Sequence, residues 1–148
     1  MKKVQILILV LFVAIICFVW GNSLLSPELS NHISTAVGNF LAKILGSSVE
    51  GGAVGGISVR KMAHFVEFFA LGLVTSLLLR TYRFEWRMRL NIEAVVGMLI
   101  PVIDETLQIF SRRGSSVSDV WIDMSGYACG CAMIYLIFFV KKKITDKG

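Results

Sequence analysis

Residues 62–79 read MAHFVEFFALGLVTSLLL, a nearly unbroken apolar run that carries a histidine at 64 and a glutamate at 67. The run approaches the roughly 20 residues that a helix needs to cross the hydrocarbon of a bilayer. An ionisable side chain near the middle of such a helix costs roughly 2.5 to 3.5 kcal/mol on insertion scales, and less near the interface. A chain that keeps two of them in one run has a use for them.

Three further runs of the same kind flank this one, at residues 4–20, 92–110 and 120–140. The third run carries Asp104 and Glu105, and the fourth carries Asp123. A mean hydropathy of +0.73, with 55% hydrophobic and 17% charged residues, fits one small membrane domain over residues 1–148 and excludes a water-soluble core of ordinary composition. The expected fold is all-α: a polytopic bundle of four transmembrane helices with a short amphipathic helix in the first outer loop.

The first run follows Lys2 and Lys3 as a secretory signal would, but it exceeds the roughly 7 to 15 apolar residues of a signal core and no small-x-small cleavage site follows. It is expected to remain as a helix. Cys17 follows Ile16, where a lipoprotein signal needs a small side chain, so no lipid anchor is expected there. Cys129 and Cys131, two apart on a helix, point to nearly opposite faces and cannot share a metal or bond to each other.

Basic residues set the orientation. Four spans with an internal N-terminus put Lys2, Lys3, Arg80, Arg83, Arg87, Arg89, Lys141, Lys142, Lys143 and Lys147 on one side, and Lys43, Arg60, Lys61, Arg112 and Arg113 on the other. Ten against five places both termini in the cytoplasm by the positive-inside rule. The net charge of +5 therefore implies no nucleic-acid partner.

Within the outer connection, Ser26-Pro27-Glu28 is a helix start: a capping hydroxyl, a proline at the first position and an acid near the positive end of the helix. Ile33, Val37, Phe40, Leu41, Ile44 and Leu45 then recur at helical spacing opposite Ser34, Thr35, Asn39 and Lys43. This predicts an amphipathic helix on the outer surface, either a lid over a site or a simple cover. The glycine-rich residues 46–56 read as a flexible tether behind it.

Given this topology, His64, Glu67, Asp104, Gln108 and Asp123 all lie within about 10 Å of the outer surface, at 1.5 Å of rise per residue. Residues three, four or seven apart share a helix side. Arg60, His64 and Glu67 form one line, Asp104, Gln108 and Arg112 a second, and Asp119, Asp123, Gly126 and Gly130 a third. Gly126 and Gly130 make a small-xxx-small pair suited to close helix packing, within the chain or between copies in a homo-oligomer. Pro101, one turn below Asp104, is expected to bend or loosen the third span. Asp104 and Glu105, about 100° apart around a helix, should diverge, one toward the pocket and the other toward a basic partner.

Several chemistries fit this layer. Carboxylates and Gln108 can accept hydrogen bonds from a headgroup while arginines hold a phosphate. His64 or a carboxylate can act as general base toward water, with Glu67 holding the imidazole. His64, Glu67, Asp104 and Asp123 can gather a divalent cation, although no cofactor is required by the motifs. Ser115, Ser116 and Ser118 read as a cap for the fourth span, with Asp119 in its first turn. A purely structural reading has Lys61, Glu67, Asp104, Arg113 and Asp123 neutralising one another between helices.

Three segments together resemble the VanZ-like family of small bacterial membrane proteins: RKMAHFVEFFALG from Arg60 to Gly72, DETLQIF from Asp104 to Phe110, and RGSSVSDVWIDMSG from Arg113 to Gly126. The resemblance covers roughly residues 58–130. It implies functional roles for Lys61, His64, Glu67, Asp104, Glu105, Gln108, Arg113, Asp119 and Asp123, and a packing role for Gly126. Phe68 stands where the family often has tyrosine, and Ser111-Arg112 where many relatives have V-P-G. The family takes its name from a member associated with teicoplanin resistance and has no established reaction. The resemblance therefore implies a bacterial cytoplasmic-membrane protein whose outer site binds or modifies a membrane lipid or lipid-linked cell-wall precursor and lowers susceptibility to glycopeptide or lipopeptide antibiotics. A membrane hydrolase or transferase, and a non-catalytic interaction protein, stand as alternatives.

Overall fold

The computed structural model describes residues 2–45, 49–50, 53–54, 57–111 and 116–146. Five helices carry the fold: α1 (Lys3–Ser23), α2 (Pro27–Leu45), α3 (Val59–Thr81), α4 (Trp86–Phe110) and α5 (Val117–Thr145). Three two-residue strands, β1 (Val49–Glu50), β2 (Ala53–Val54) and β3 (Ile57–Ser58), pair antiparallel in that order between α2 and α3. A flexible tether was expected there; paired backbone occupies its described part, and the rest of residues 46–56 lies outside the described residues.

The long helices coincide with the four apolar runs and extend past them by up to two turns. Three of them, α1, α3 and α5, are long and apolar enough to cross a membrane. Helix α4 does not meet that measure, because Glu93 near one end and Asp104 and Glu105 near the other shorten its apolar stretch. Its middle is nevertheless turned outward: Val95, Met98, Leu99 and Val102 are exposed, as are Leu7, Val10 and Phe18 on α1 and Leu136 and Phe139 on α5. A belt of exposed large apolar side chains suits lipid and not water. Helix α4 stays helical through the buried Pro101.

Helix α2 begins as its sequence predicts. The Leu29 amide donates to Ser26 Oγ at 3.4 Å, and Pro27 and Glu28 occupy the first turn. Ile33, Val37, Phe40 and Ile44 are exposed along it, an apolar stripe left for a membrane surface.

Helix α3 is the hub, packed by α1, α2, α4 and α5. Its closest neighbour is α5, and glycine makes that approach possible. A Cβ on Gly126 would collide with the Phe65 carbonyl, one on Gly130 with the Phe69 carbonyl, and one on Gly72 with the Tyr127 carbonyl. The small-xxx-small face is thus used within the chain, and Gly72 answers it from the opposite helix. Beside this seam Val19, Phe68, Leu71, Ile100, Tyr127 and Cys131 form the apolar core, flanked by Phe12, Ile15, Ile16, Trp20 and Val96. Trp20 packs against this core from the last turns of α1. Phe68 is fully buried within it, where a phenyl ring belongs.

The two ends of the bundle differ. At the end holding both termini, the Gln5 side chain donates to the Thr81 carbonyl at 2.7 Å, tying the start of α1 to the end of α3. Nearby, Glu93 accepts from Ser76 Oγ at 2.5 Å and from the Tyr135 hydroxyl at 3.1 Å, and the Arg80 guanidinium lies over the rings of Tyr135 and Phe138. Glu93 is buried and was missed in the sequence, where it reads as the polar edge of the third run.

Replacing Gly130 by valine should separate α3 from α5 and lower the melting temperature in detergent, with a cost of about 1–3 kcal/mol or more for overpacking. Gly21→Ala, where an added Cβ meets nothing within 4 Å, should leave the melting temperature unchanged or slightly raised. Thermal unfolding of the two purified variants checks the contrast.

Candidate functional site

The end of the bundle opposite the termini is polar, and four helix ends build it. Helix α1 contributes Asn22 and Ser23 from its last turn, α3 contributes Arg60, Lys61, His64 and Glu67 from its first turns, α4 contributes Asp104, Glu105 and Gln108, and α5 contributes Asp119 and Asp123. The α3–α5 glycine seam sets His64 and Asp123 on facing sides of one junction.

Asp104 is the most enclosed of these groups, with no exposed surface. Its Oδ1 accepts from the Ser23 hydroxyl at 2.7 Å, and its Oδ2 accepts from Gln108 Nε2 at 2.9 Å, one turn along the same helix. Gln108 is held in turn, its Oε1 accepting from Arg60 Nη2 at 2.5 Å. The Ser111 hydroxyl adds a bond to the Ser23 carbonyl at 2.9 Å. A relay thus runs from an arginine at the rim through Gln108 to a carboxylate in the interior, and with Ser23 it joins three helices.

His64 turns its Nδ1 toward two carboxylates at once, 3.7 Å from Asp104 Oδ2 and 3.6 Å from Asp123 Oδ1. Asp123 is fully buried, and neither of its carboxylate oxygens has a hydrogen-bond partner among the described residues. Glu67, three residues on from His64, makes a contact of its own with another helix. Three residues turn a helix by about 300°, so the two side chains diverge by about 60°. Glu67 faces α1, where its Oε1 accepts from Asn22 Nδ2 at 2.9 Å.

Asp104 and Glu105 diverge as their spacing requires, and among the described residues the hydrogen-bond partner of Glu105 is a backbone amide. Its Oε1 accepts from the Ser116 amide at 2.6 Å, at the start of α5. Ser116 in turn caps that helix, its Oγ accepting from the Ser118 amide at 3.2 Å. Glu105 therefore ties α4 to α5, and the serine cluster performs the capping expected of it. Lys61 pairs with Asp119 at 3.4 Å, partly in the open. A pair so exposed contributes about 0–1 kcal/mol. Arg112, Arg113 and Ser115 lie outside the described residues.

Two hollows adjoin the cluster. One of about 80 Å³, under helix α2, is lined by Asn22, Ser30, Ser34, Arg60, His64 and Glu67. The other, about 10 Å³, lies between α3 and α5 against Lys61, His64, Asp119 and Asp123. His64 borders both. A separate hollow of about 400 Å³ between α4 and α5, bordered by Glu93, Gly97, Met98 and Tyr127, is mainly apolar and does not reach the polar cluster.

Of the sequence-predicted residues, the structure brings His64, Asp104 and Asp123 into one cluster, with Gln108 supporting it and Glu67 lining the adjoining hollow. Glu105, Lys61 and Asp119 lie at its edge and join helix ends. Asn22 and Ser23 were missed, because a polar pair after an apolar run reads as the end of a span. Arg60 was visible as a member of the His64 line but not as the support of Gln108.

A family model described as VanZ/LLP1 matches residues 6–139. No curated protein and no solved structure matches the chain. The matched residues take in all five helices except the outermost turns of the first and last, together with every group of the polar end, and the chain belongs to the VanZ/LLP1 family.

Proposed function

We propose that the protein crosses the bacterial cytoplasmic membrane four times, with α4 as the third span and both termini inside, and that its polar end binds the headgroup of an envelope lipid or lipid-linked cell-wall precursor in the outer leaflet. The observation that carries this reading is the hollow of about 80 Å³ beneath α2, with Arg60, His64, Glu67, Asn22 and two serines on its walls. A space of that size takes a few waters or one small polar group, and not a whole lipid. Arginine suits a phosphate, while Glu67 and the serines suit hydroxyl or amino groups.

The apolar stripe of α2 supports the same placement, since it would lie at the membrane surface and cover a headgroup whose chains remain in lipid. The orientation follows from the ten basic residues at the terminal end, with Arg80, Arg83, Arg87 and Arg89 in and beside one short loop. A site on the outer face meets the precursors on which glycopeptide and lipopeptide antibiotics act, and occupancy of that site would lower susceptibility to them.

The orientation is checked by labelling. A Ser118→Cys variant in a background lacking the native cysteines should react with a membrane-impermeant maleimide added outside whole cells. A fluorescent protein fused at the C-terminus should fold and fluoresce inside.

The function is checked in a Gram-positive host at matched expression. Wild type should raise the inhibitory concentration of teicoplanin or of a lipopeptide and should retain a lipid on purification. Glu67→Gln, which keeps an oxygen for Asn22, should lose both effects while keeping the melting temperature of the wild type. Variants that unfold early yet protect as well as wild type whenever they are expressed would show that the polar end only holds helices together.

A further inference from the structure

We propose that His64, Asp104 and Asp123 form a divalent-cation site of the zinc or manganese type at the floor of the polar end. The three residues come from three different helices, and each offers one ligand atom within 4.8 Å of the others. The distances from His64 Nδ1 to the two carboxylate oxygens, 3.7 and 3.6 Å, are too long for good hydrogen bonds. They lie close to the separation of about 3.3 Å that two tetrahedral bonds of about 2.0–2.1 Å impose on their outer atoms. The two carboxylate oxygens lie within 4.8 Å of each other and would draw together around the ion, by up to about 1.5 Å for ideal tetrahedral bonds.

Asp123 supplies the independent observation. It is fully buried and points at His64, and both of its oxygens lack a hydrogen-bond partner among the described residues. Buried carboxylates are ordinarily hydrogen-bonded, paired or bound to metal. Among the described residues, the nearby cations have other partners, Lys61 with Asp119 and Arg60 with the Gln108 oxygen. A divalent ion balances the two carboxylates to zero net charge.

The surroundings suit this role. Each oxygen of Asp104 accepts one hydrogen bond, from Ser23 or from Gln108, which fixes the carboxylate plane. Outer partners of this kind orient metal ligands. One imidazole with two carboxylates fits zinc or manganese better than calcium, which takes six to eight oxygens. Three protein ligands leave a coordination position open, and the hollow of about 10 Å³ beside His64 and Asp123 holds about one water. Glu67, a fourth ligand by sequence, is turned to Asn22 and lies outside the set.

This inference shares its site with the headgroup reading and adds a Lewis-acidic ion to it, so the test reads the metal alone. The full chain, purified in detergent and stripped with a chelator, is equilibrated with Zn2+ or Mn2+, and bound metal is counted. One ion per chain should bind saturably and raise the melting temperature. Asp123→Asn, close in shape, should abolish that binding, and Ser23→Ala, which frees Asp104 without touching a ligand, should weaken it about 10–100-fold.

Absence of binding, or binding equal in wild type, Asp123→Asn and Ser23→Ala, overturns the cation site and leaves a proton shared among the three groups. Lipid retained by a protein that binds no metal overturns the cation but not the headgroup reading. Metal bound at one equivalent with no lipid retained does the reverse.

Discussion

The contact on which the rest depends is backbone against backbone between α3 and α5. Gly72, Gly126 and Gly130 remove the side chains that would hold these helices apart, so that the Phe65, Phe69 and Tyr127 carbonyls lie where Cβ atoms would otherwise be. Between apolar helices in lipid there is no hydrophobic force to draw them together, and close packing supplies the attraction. The same approach brings His64 of one helix to 3.6 Å from Asp123 of the other. Without the glycine seam the polar groups of α3 and α5 would stand too far apart to form a site.

The polar end is assembled by intermediaries. Arg60 reaches Asp104 through Gln108, and Glu105 joins the start of α5 through a backbone amide. Each link satisfies one buried group with another, which a low-dielectric surrounding requires. The charged rim and the buried floor are thereby coupled: a ligand that draws Arg60 away also loosens the carboxylate beneath it. Asp123 is the one carboxylate of the cluster left outside this hydrogen-bonding scheme among the described residues.

Much of this was legible in the sequence. Long apolar runs locate helices because a bilayer demands length, and the ends of those runs were right to within about two turns. The α2 start, the α5 cap and the glycine pair each rest on a local rule, and local rules survive assembly. The failures were tertiary. Residues 64 and 67 share a helix side at the level of spacing, yet a 60° difference was enough to send one to α4 and α5 and the other to α1. Ser23 and Asn22 have no signal of their own, since their role exists only when α1 lies against α3 and α4. Glu93 was hidden by its position at the end of a run, where charge is ordinary. Helix α4 carries acids at both ends of its apolar stretch, Glu93 at one and the site residues Asp104 and Glu105 at the other, which shortens its apolar length.

Helix α1 has a consequence for how the molecule comes together. It is nearly bare of buried residues, yet its last turn holds the partners of Glu67 and Asp104. During synthesis α1 leaves the ribosome first, and Asp104 follows some eighty residues later. The first helix therefore waits in the membrane as a template for groups that have not yet been made. Chains caught before α4 arrives would display Ser23 to lipid, and release of the finished protein from the insertion machinery should coincide with the moment this early helix is engaged from both sides.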